Sequence, residues 1–84
     1  MKTIKYNNKT IKLPFEGADY GDEPLKEIEV KNRFSGEACT MPAFAVAVYD
    51  VIMGSEMFGD YKNVRTGLDW FRKYFPAQYM VVLD

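Results

Sequence analysis

The stretch from Thr40 to Phe58 constrains the fold more than any other part of the chain, because almost every residue in it is apolar or small. Asp50 and Glu56 are its only charged residues. At 100° per residue, a helix over this stretch has two large apolar faces. One face carries Met41, Phe44, Val48, Val51, Ile52 and Phe58, and the other carries Val46, Tyr49, Met53 and Met57. Both apolar faces of such a helix have to be buried against other elements. We therefore predict that a sheet packs against one face and a second helix against the other.

Local signals place the ends of two consecutive helices, at about 41–58 and 61–75. Thr40 is a favourable N-cap for the first helix, Gly59 is typical of the residue after a helix, and Asp60 is a favourable N-cap for the second. Pro76 stops the second helix, since proline cannot continue one. The apolar face of this second helix carries Tyr61, Val64, Leu68, Phe71 and Phe75.

The first half of the chain has the patterns of short strands. Residues 2–6 and 9–13 predict a hairpin, because the Asn7-Asn8 pair between them tolerates the positive φ angles of a two-residue turn. In residues 26–34, charged residues alternate with Ile28, Val30 and Phe34, which indicates a half-buried strand. Ser35-Gly36 then predicts a tight turn, after which residues 37–39 pair back briefly.

The chain ends in the apolar run Tyr79–Leu83, which predicts a strand buried on both faces in the centre of the sheet. The whole chain, residues 1–84, is then a single α+β domain. Its small, mostly antiparallel sheet contains the N-terminal hairpin, the strand near 26–34 and the C-terminal strand 79–83. The two helices pack on one face of this sheet.

Composition limits the function classes. Histidine is absent, which removes the commonest general base and the usual zinc ligand. The single cysteine, Cys39, forms no internal disulfide, so nothing requires an oxidising compartment and we expect a cytoplasmic location. A formal net charge of −1 gives no general attraction to nucleic acid or to an anionic membrane. We therefore expect a protein that is not an enzyme, uses no cofactor and does not associate with membranes.

Two acidic features leave alternatives open. The loop 16–23 carries Glu16, Asp19, Asp22 and Glu23, but their spacing does not match the twelve-residue calcium loop. It is either a solvated loop or a weak Ca²⁺ or Mg²⁺ site, and we assign no metal ligands. Asp50 lies within the apolar helix, so its carboxylate is either exposed or paired, with Arg33 as the partner we would name.

Five residues are candidates for contact with a partner: Arg33, Phe34, Tyr49, Trp70 and Arg72. Tyrosine, tryptophan, phenylalanine and arginine are enriched at protein interfaces. The outer face of the second helix is also basic, with Lys62, Arg65, Arg72 and Lys73 beside Trp70 and Tyr74. Basic residues beside aromatic ones are typical of nucleic-acid surfaces, but the acidic loop and Asp69 dilute this charge.

Several segments together carry a resemblance. They are K-N-R-F-S-G-E (Lys31–Glu37), M-P-A-F-A-V-A-V-Y-D-V-I-M-G (Met41–Gly54), G-L-D-W-F-R-K-Y-F-P (Gly67–Pro76) and Y-M-V-V-L-D (Tyr79–Asp84). From Lys31 onward, the chain resembles a group of short, uncharacterised proteins encoded by tailed phages of marine cyanobacteria. The resemblance implies a phage accessory protein that works in the cytoplasm of the infected cell, and it carries over no functional residue.

The leading hypothesis from the sequence is a small non-enzymatic protein that acts by protein–protein interaction or by self-assembly as a homo-oligomer. Its basis is the double apolar face of the first helix, the 15% aromatic content and the missing catalytic residue types. The alternative is a nucleic-acid-associated protein that uses the basic face of the second helix, which we favour less.

Overall fold

The computed structural model describes residues 3–15 and 20–83. These residues form two antiparallel hairpins followed by three helices. The elements are β1 (Thr3–Tyr6), β2 (Lys9–Lys12), β3 (Glu27–Lys31), β4 (Ala38–Pro42), α1 (Ala43–Met57), α2 (Tyr61–Tyr74) and α3 (Pro76–Val82). The architecture is α+β, which confirms the predicted fold class.

The N-terminal hairpin forms as the sequence predicts. β1 and β2 pair in antiparallel register, with Ile4 opposite Ile11. Asn7 and Asn8 both have positive φ angles, 50° and 65°, so the turn is of the type that follows the twist of the strands. Ile11 and Leu13 are almost fully buried, so one face of this hairpin covers the core.

The second hairpin is longer than predicted on its returning side. β4 reaches Pro42, and β3 pairs with it from Glu27 opposite Pro42 to Lys31 opposite Ala38. Ile28 and Val30 are half-buried and their neighbours are exposed, as the alternation predicts. The prediction that places Phe34 in the same alternation is wrong, because β3 ends at Lys31 and Phe34 lies in the turn.

The predicted C-terminal strand 79–83 is wrong, because residues 76–82 form helix α3. A short apolar run is compatible with either a strand or a buried helix. Pro76 occupies the first turn of α3, where its fixed φ angle favours a helix and its missing N–H is not needed. Without a central strand, the two hairpins remain separate two-stranded sheets in the described part of the chain.

The start of α1 also corrects a prediction. Thr40 is not the N-cap, because it lies in β4 opposite Glu29, and α1 begins only after Pro42. Backbone groups replace the missing cap. The Ala43 N–H donates to the carbonyl of Lys26 at 2.8 Å, and the Phe44 N–H donates to that of Pro24 at 3.0 Å. The loop before β3 therefore satisfies two of the free donors of the helix start.

The connection between α1 and α2 follows its sequence signals. Gly59, with φ at 74°, follows the end of α1, and the Asp60 side chain accepts a hydrogen bond from the Asn63 N–H. Both predictions are confirmed. α2 then packs closely on α1 at Gly67, where a Cβ atom would lie only 2.6 Å from Ile52 Cδ1.

Aromatic rings join the N-terminal hairpin to the helices. The Tyr6 ring lies 5.6 Å from Phe44 of α1 and 5.7 Å from Phe75, which links α2 to α3. Trp70 stacks edge-on against Phe44, and its Nε1–H donates to the Lys12 carbonyl at 2.8 Å. Edge-to-face pairs of this kind each add about 0.5–1.5 kcal/mol beyond burial.

In the described ranges, no helix is both long and apolar enough to cross a bilayer.

Candidate interaction surface

The two apolar faces of α1 are covered unequally. Phe44, Val48 and Ile52, in the middle of the first face, have no exposed surface, whereas Phe58, just after the end of α1 on the same face, is 88% exposed. On the second face, Tyr49 and Met53 are half-buried, and Met57 at the end of the row is 82% exposed. Residues four apart lie on one side of a helix, so this row runs from partial cover into solvent. The neighbouring elements therefore leave this side of α1 incompletely covered.

A cleft of about 260 Å³ lies along this second face, and we call it the turn–helix cleft. Its walls come from the β3–β4 turn, α1, α2 and the end of α3. It is lined by Asn32, Arg33, Phe34, Tyr49, Met53, Glu56, Leu68, Val82 and Leu83. Most of these side chains are apolar, and one cation and one anion accompany them. Such a lining, apolar with a few polar groups, is typical of protein binding sites.

Asn32 holds the β3–β4 turn in place. Its side-chain Oδ1 accepts hydrogen bonds from the backbone N–H groups of Phe34 at 2.8 Å and Ser35 at 3.2 Å. Its Nδ2 donates to the Val81 carbonyl at 2.8 Å, which ties the turn to α3. Gly36, with a φ angle of 79°, completes the turn. These bonds position residues 33 and 34 at the cleft edge on a supported backbone.

Phe34 projects from this turn with 93% of its surface exposed. The Arg33 guanidinium lies 5.9 Å from the centre of its ring, within the range of a cation–π contact. Single exposed apolar residues are common, but Phe34 borders a cleft that other apolar side chains line together with polar ones. An exposed phenylalanine on a supported turn beside such a cleft is typical of an interface rather than of a solvated loop.

The structure brings three of the five predicted interaction residues together. Arg33, Phe34 and Tyr49 all line the turn–helix cleft, although residue 49 is remote from the other two in sequence. Trp70 and Arg72 lie elsewhere. Trp70 is 6% exposed and belongs to the core, where it contacts Phe44 and the N-terminal hairpin.

Arg72 contacts a residue of its own helix and a residue of α3. Its guanidinium forms an ion pair with Asp69 one helical turn earlier and lies 5.4 Å from the centre of the Tyr79 ring. On the exposed α2 surface, such a pair contributes less than about 1 kcal/mol.

A second, more open depression of about 290 Å³ lies where α2 meets the N-terminal hairpin, and Trp70 and Tyr74 are among its lining residues.

The Asp50 side chain is exposed, which is the first of the two alternatives that its sequence position left open. Over residues 3–15 and 20–83, the only ion pair is the one between Arg72 and Asp69, so Arg33 does not pair with Asp50. The alternative in which Asp50 pairs with Arg33 is therefore wrong. Desolvation by partial burial nevertheless raises the pKa of the Asp50 carboxyl above its ordinary value. The same cause raises the pKa of the Cys39 thiol, which favours its protonated and less reactive form.

The described residues of the acidic loop form no metal site. Glu16 and Asp19 lie outside those residues, while Asp22 and Glu23 lie within them. In the part of the chain that the structure describes, no three acidic or cysteine side chains lie close enough together to hold a metal ion.

Sequence reasoning missed several cleft residues, above all Asn32 and Glu56. Asn32 had a recognisable signal, since asparagine at the start of a turn often bonds to the backbone of that turn. Glu56 had no such signal, because its position on the cleft depends on how the turn folds against α1. The sequence places Leu68, Val82 and Leu83 in core elements, and in the structure they also line the cleft.

Comparison of the chain with protein-family models, with curated proteins and with solved structures found no match. Its function therefore has to be argued from the site itself.

Proposed function

We propose that this protein is a small, non-enzymatic accessory protein that acts through protein–protein contact at the turn–helix cleft. The observation that carries the proposal is the 93% exposure of Phe34 on a turn that Asn32 pins in place. Exposing a phenyl ring to water is unfavourable, and the exposure ends when a partner covers it. Because the backbone of the turn is already ordered, binding costs less conformational entropy than it would for a loose loop.

The lining of the cleft supports a protein partner. Tyr49, Met53 and Leu68 offer aromatic, thioether and aliphatic surface, and methionine adapts its shape to different partners. Arg33 and Glu56 place charges of both signs beside this surface. An apolar centre with charges around it is the usual arrangement of a protein–protein interface.

The proposed setting comes from the resemblance to short proteins of cyanobacterial tailed phages. We propose that the protein is phage-encoded and meets its partner in the cytoplasm of the infected host. This setting makes infected-cell lysate the material in which to search for contacts.

Photo-crosslinking at position 34 tests the proposal. A photoreactive phenylalanine analogue replaces Phe34 in one variant and Leu25 in a matched control. Leu25 is also exposed and apolar, but it lies before β3, at the opposite end of that strand from the turn. Each variant is irradiated in infected-cell lysate and, separately, as purified protein.

We expect crosslinked adducts at position 34, to this chain or to one discrete other protein, and few at position 25. Adducts that are equally abundant at both positions would mean that contact is non-specific. Such adducts, or none at either position, would refute the proposed function.

A nucleic-acid role has less support, although Lys62 and Arg65 are exposed on α2. The burial of Trp70 removes the residue best suited to stack on a base. Arg72 is held by Asp69, which offsets its charge. A gel-shift titration at low salt with single- and double-stranded DNA checks this role, and a shift that Arg65→Glu abolishes would establish it.

A further inference from the structure

We infer that the occupant of the turn–helix cleft is a second copy of this chain, joined to the first in a two-fold symmetric dimer. The inference rests on the proposed function and names its partner. In such a dimer the same patch meets itself, so that residue i of one copy contacts residue j of the other and j contacts i. A patch used in this way has to be complementary to itself.

The turn–helix cleft carries both halves of an apolar contact. Phe34 is the projecting half, and the space between α1, α2 and the end of α3 is the receiving half. An apolar cavity of about 150 Å³ takes up a benzene molecule. At about 260 Å³, the cleft has room for the phenyl ring of Phe34 from a second copy.

The cleft also carries both halves of a charged contact. Arg33 and Glu56 both line it, and within the described residues neither side chain has an ion-pair partner. If Arg33 of one copy meets Glu56 of the other, the two-fold axis repeats this contact, so that two equivalent pairs form. A different protein would need its own complementary charges, whereas a second copy supplies both.

The size of the interface is compatible with the size of the molecule. A standard interface buries about 800 Å² on each partner. The described chain exposes 5669 Å², so such an interface would cover about one seventh of it. The exposed Met57, one turn beyond Met53 on α1, extends the apolar row past the end of the cleft and adds to the apolar surface that a second copy could cover.

Charge reversal tests the inference, because both side chains are exposed and neither substitution disturbs the core. Sedimentation velocity over a micromolar concentration series gives the dimer dissociation constant of the wild type, of Arg33→Glu and of Glu56→Arg. Each reversal acts twice in a symmetric dimer, so we expect each variant alone to dissociate about tenfold more readily. Circular dichroism confirms that each variant is folded.

The decisive sample is an equimolar mixture of the two single variants. In the mixed dimer, the glutamate introduced at position 33 of one copy faces the arginine introduced at position 56 of the other. At the second, symmetry-related contact, the unchanged Glu56 faces the unchanged Arg33. We expect this mixture to recover wild-type affinity to within about threefold. Phe34→Ser should weaken the dimer, and Leu25→Ser, the matched apolar control, should leave it unchanged.

The outcomes separate this inference from the proposed function. A wild-type chain that stays monomeric throughout the series, while position 34 crosslinks to a different protein, overturns the second copy as occupant and leaves the proposed function standing. A dimer that neither reversal weakens, or whose variants do not recover on mixing, forms elsewhere and also overturns the inference. A monomer with no specific crosslink at position 34 removes both.

Discussion

Replacing Gly67 with alanine should destabilise the fold, even though alanine favours helices. Gly67 lies inside α2 at its closest approach to α1. A Cβ atom there would overlap Ile52 Cγ1 and lie 2.6 Å from Ile52 Cδ1, with the Phe15 ring at 3.5 Å. Ile52 has no exposed surface, so its side chain cannot avoid the added methyl group by turning out into solvent.

The magnitude follows from two opposing terms. Alanine in place of glycine inside a helix gains about 1 kcal/mol. Forcing an extra methyl group into a packed core costs about 1–3 kcal/mol, and the overlap with two carbon atoms of a buried side chain indicates the upper part of that range. We therefore expect Gly67→Ala to lower the free energy of unfolding by about 1–2 kcal/mol.

Gly54→Ala is the matched control, since Gly54 lies within α1 and a Cβ atom there meets nothing within 4 Å. It should raise the free energy of unfolding by about 0.5–1 kcal/mol. In a domain of this size, 1 kcal/mol shifts Tm by about 4–8 °C, so the two variants should melt on opposite sides of the wild type. Thermal melts followed by circular dichroism measure this. A Gly67→Ala variant at least as stable as the wild type would refute the close packing of α1 on α2.

Three further substitutions test individual contacts. Asp60→Ala removes the side-chain cap that accepts from Asn63 and should cost about 1 kcal/mol in urea unfolding, whereas Asp60→Ser should retain most of the stability. Trp70→Phe removes the Nε1–H bond to the Lys12 carbonyl and should cost about 1–3 kcal/mol in the same assay, and an unchanged unfolding midpoint would contradict that bond. Asp50→Asn tests the raised pKa of Asp50. Because the pKa is raised, the folded state binds the proton more tightly than the unfolded state does. The contribution of this carboxyl to stability is therefore greatest below its unfolded pKa of about 3.9 and falls as the pH rises through the folded pKa. Melting temperatures of the wild type and Asp50→Asn should therefore coincide at about pH 3 and diverge in favour of the variant towards neutral pH. A difference that does not change with pH would argue against this titration.

Local sequence signals predicted those elements whose geometry is set within a few residues. The Asn7-Asn8 turn and the Asp60 cap are of this kind, because the turn depends on φ angles that asparagine tolerates and the cap on a carboxylate three residues before its donor. The alternation in β3 predicted the half-buried face of Ile28 and Val30. Each of these predictions needed no knowledge of distant parts of the chain.

The predictions failed where contacts with distant parts of the chain determine the local structure. Thr40 has the side chain of an N-cap, yet pairing with Glu29 keeps it in β4, and carbonyl groups of the loop before β3 cap the helix instead. Residues 79–83 suit either a strand or a helix, and the contacts of Phe75 and Tyr79 with neighbouring elements accompany the helical form. Trp70 has the composition of an interface residue, but its core position follows from packing against Phe44.

The sequence by itself determined the class of fold, the two apolar faces of the first long helix and the residue types available for contact. The tertiary structure alone decided that Arg33 and Phe34 meet Tyr49 at one cleft and that the second apolar face of α1 stays half-covered. The physical reason is that helical and strand periodicities depend on neighbours within a few residues. A cleft depends on how far separate elements approach one another, which side-chain volumes across the whole core determine.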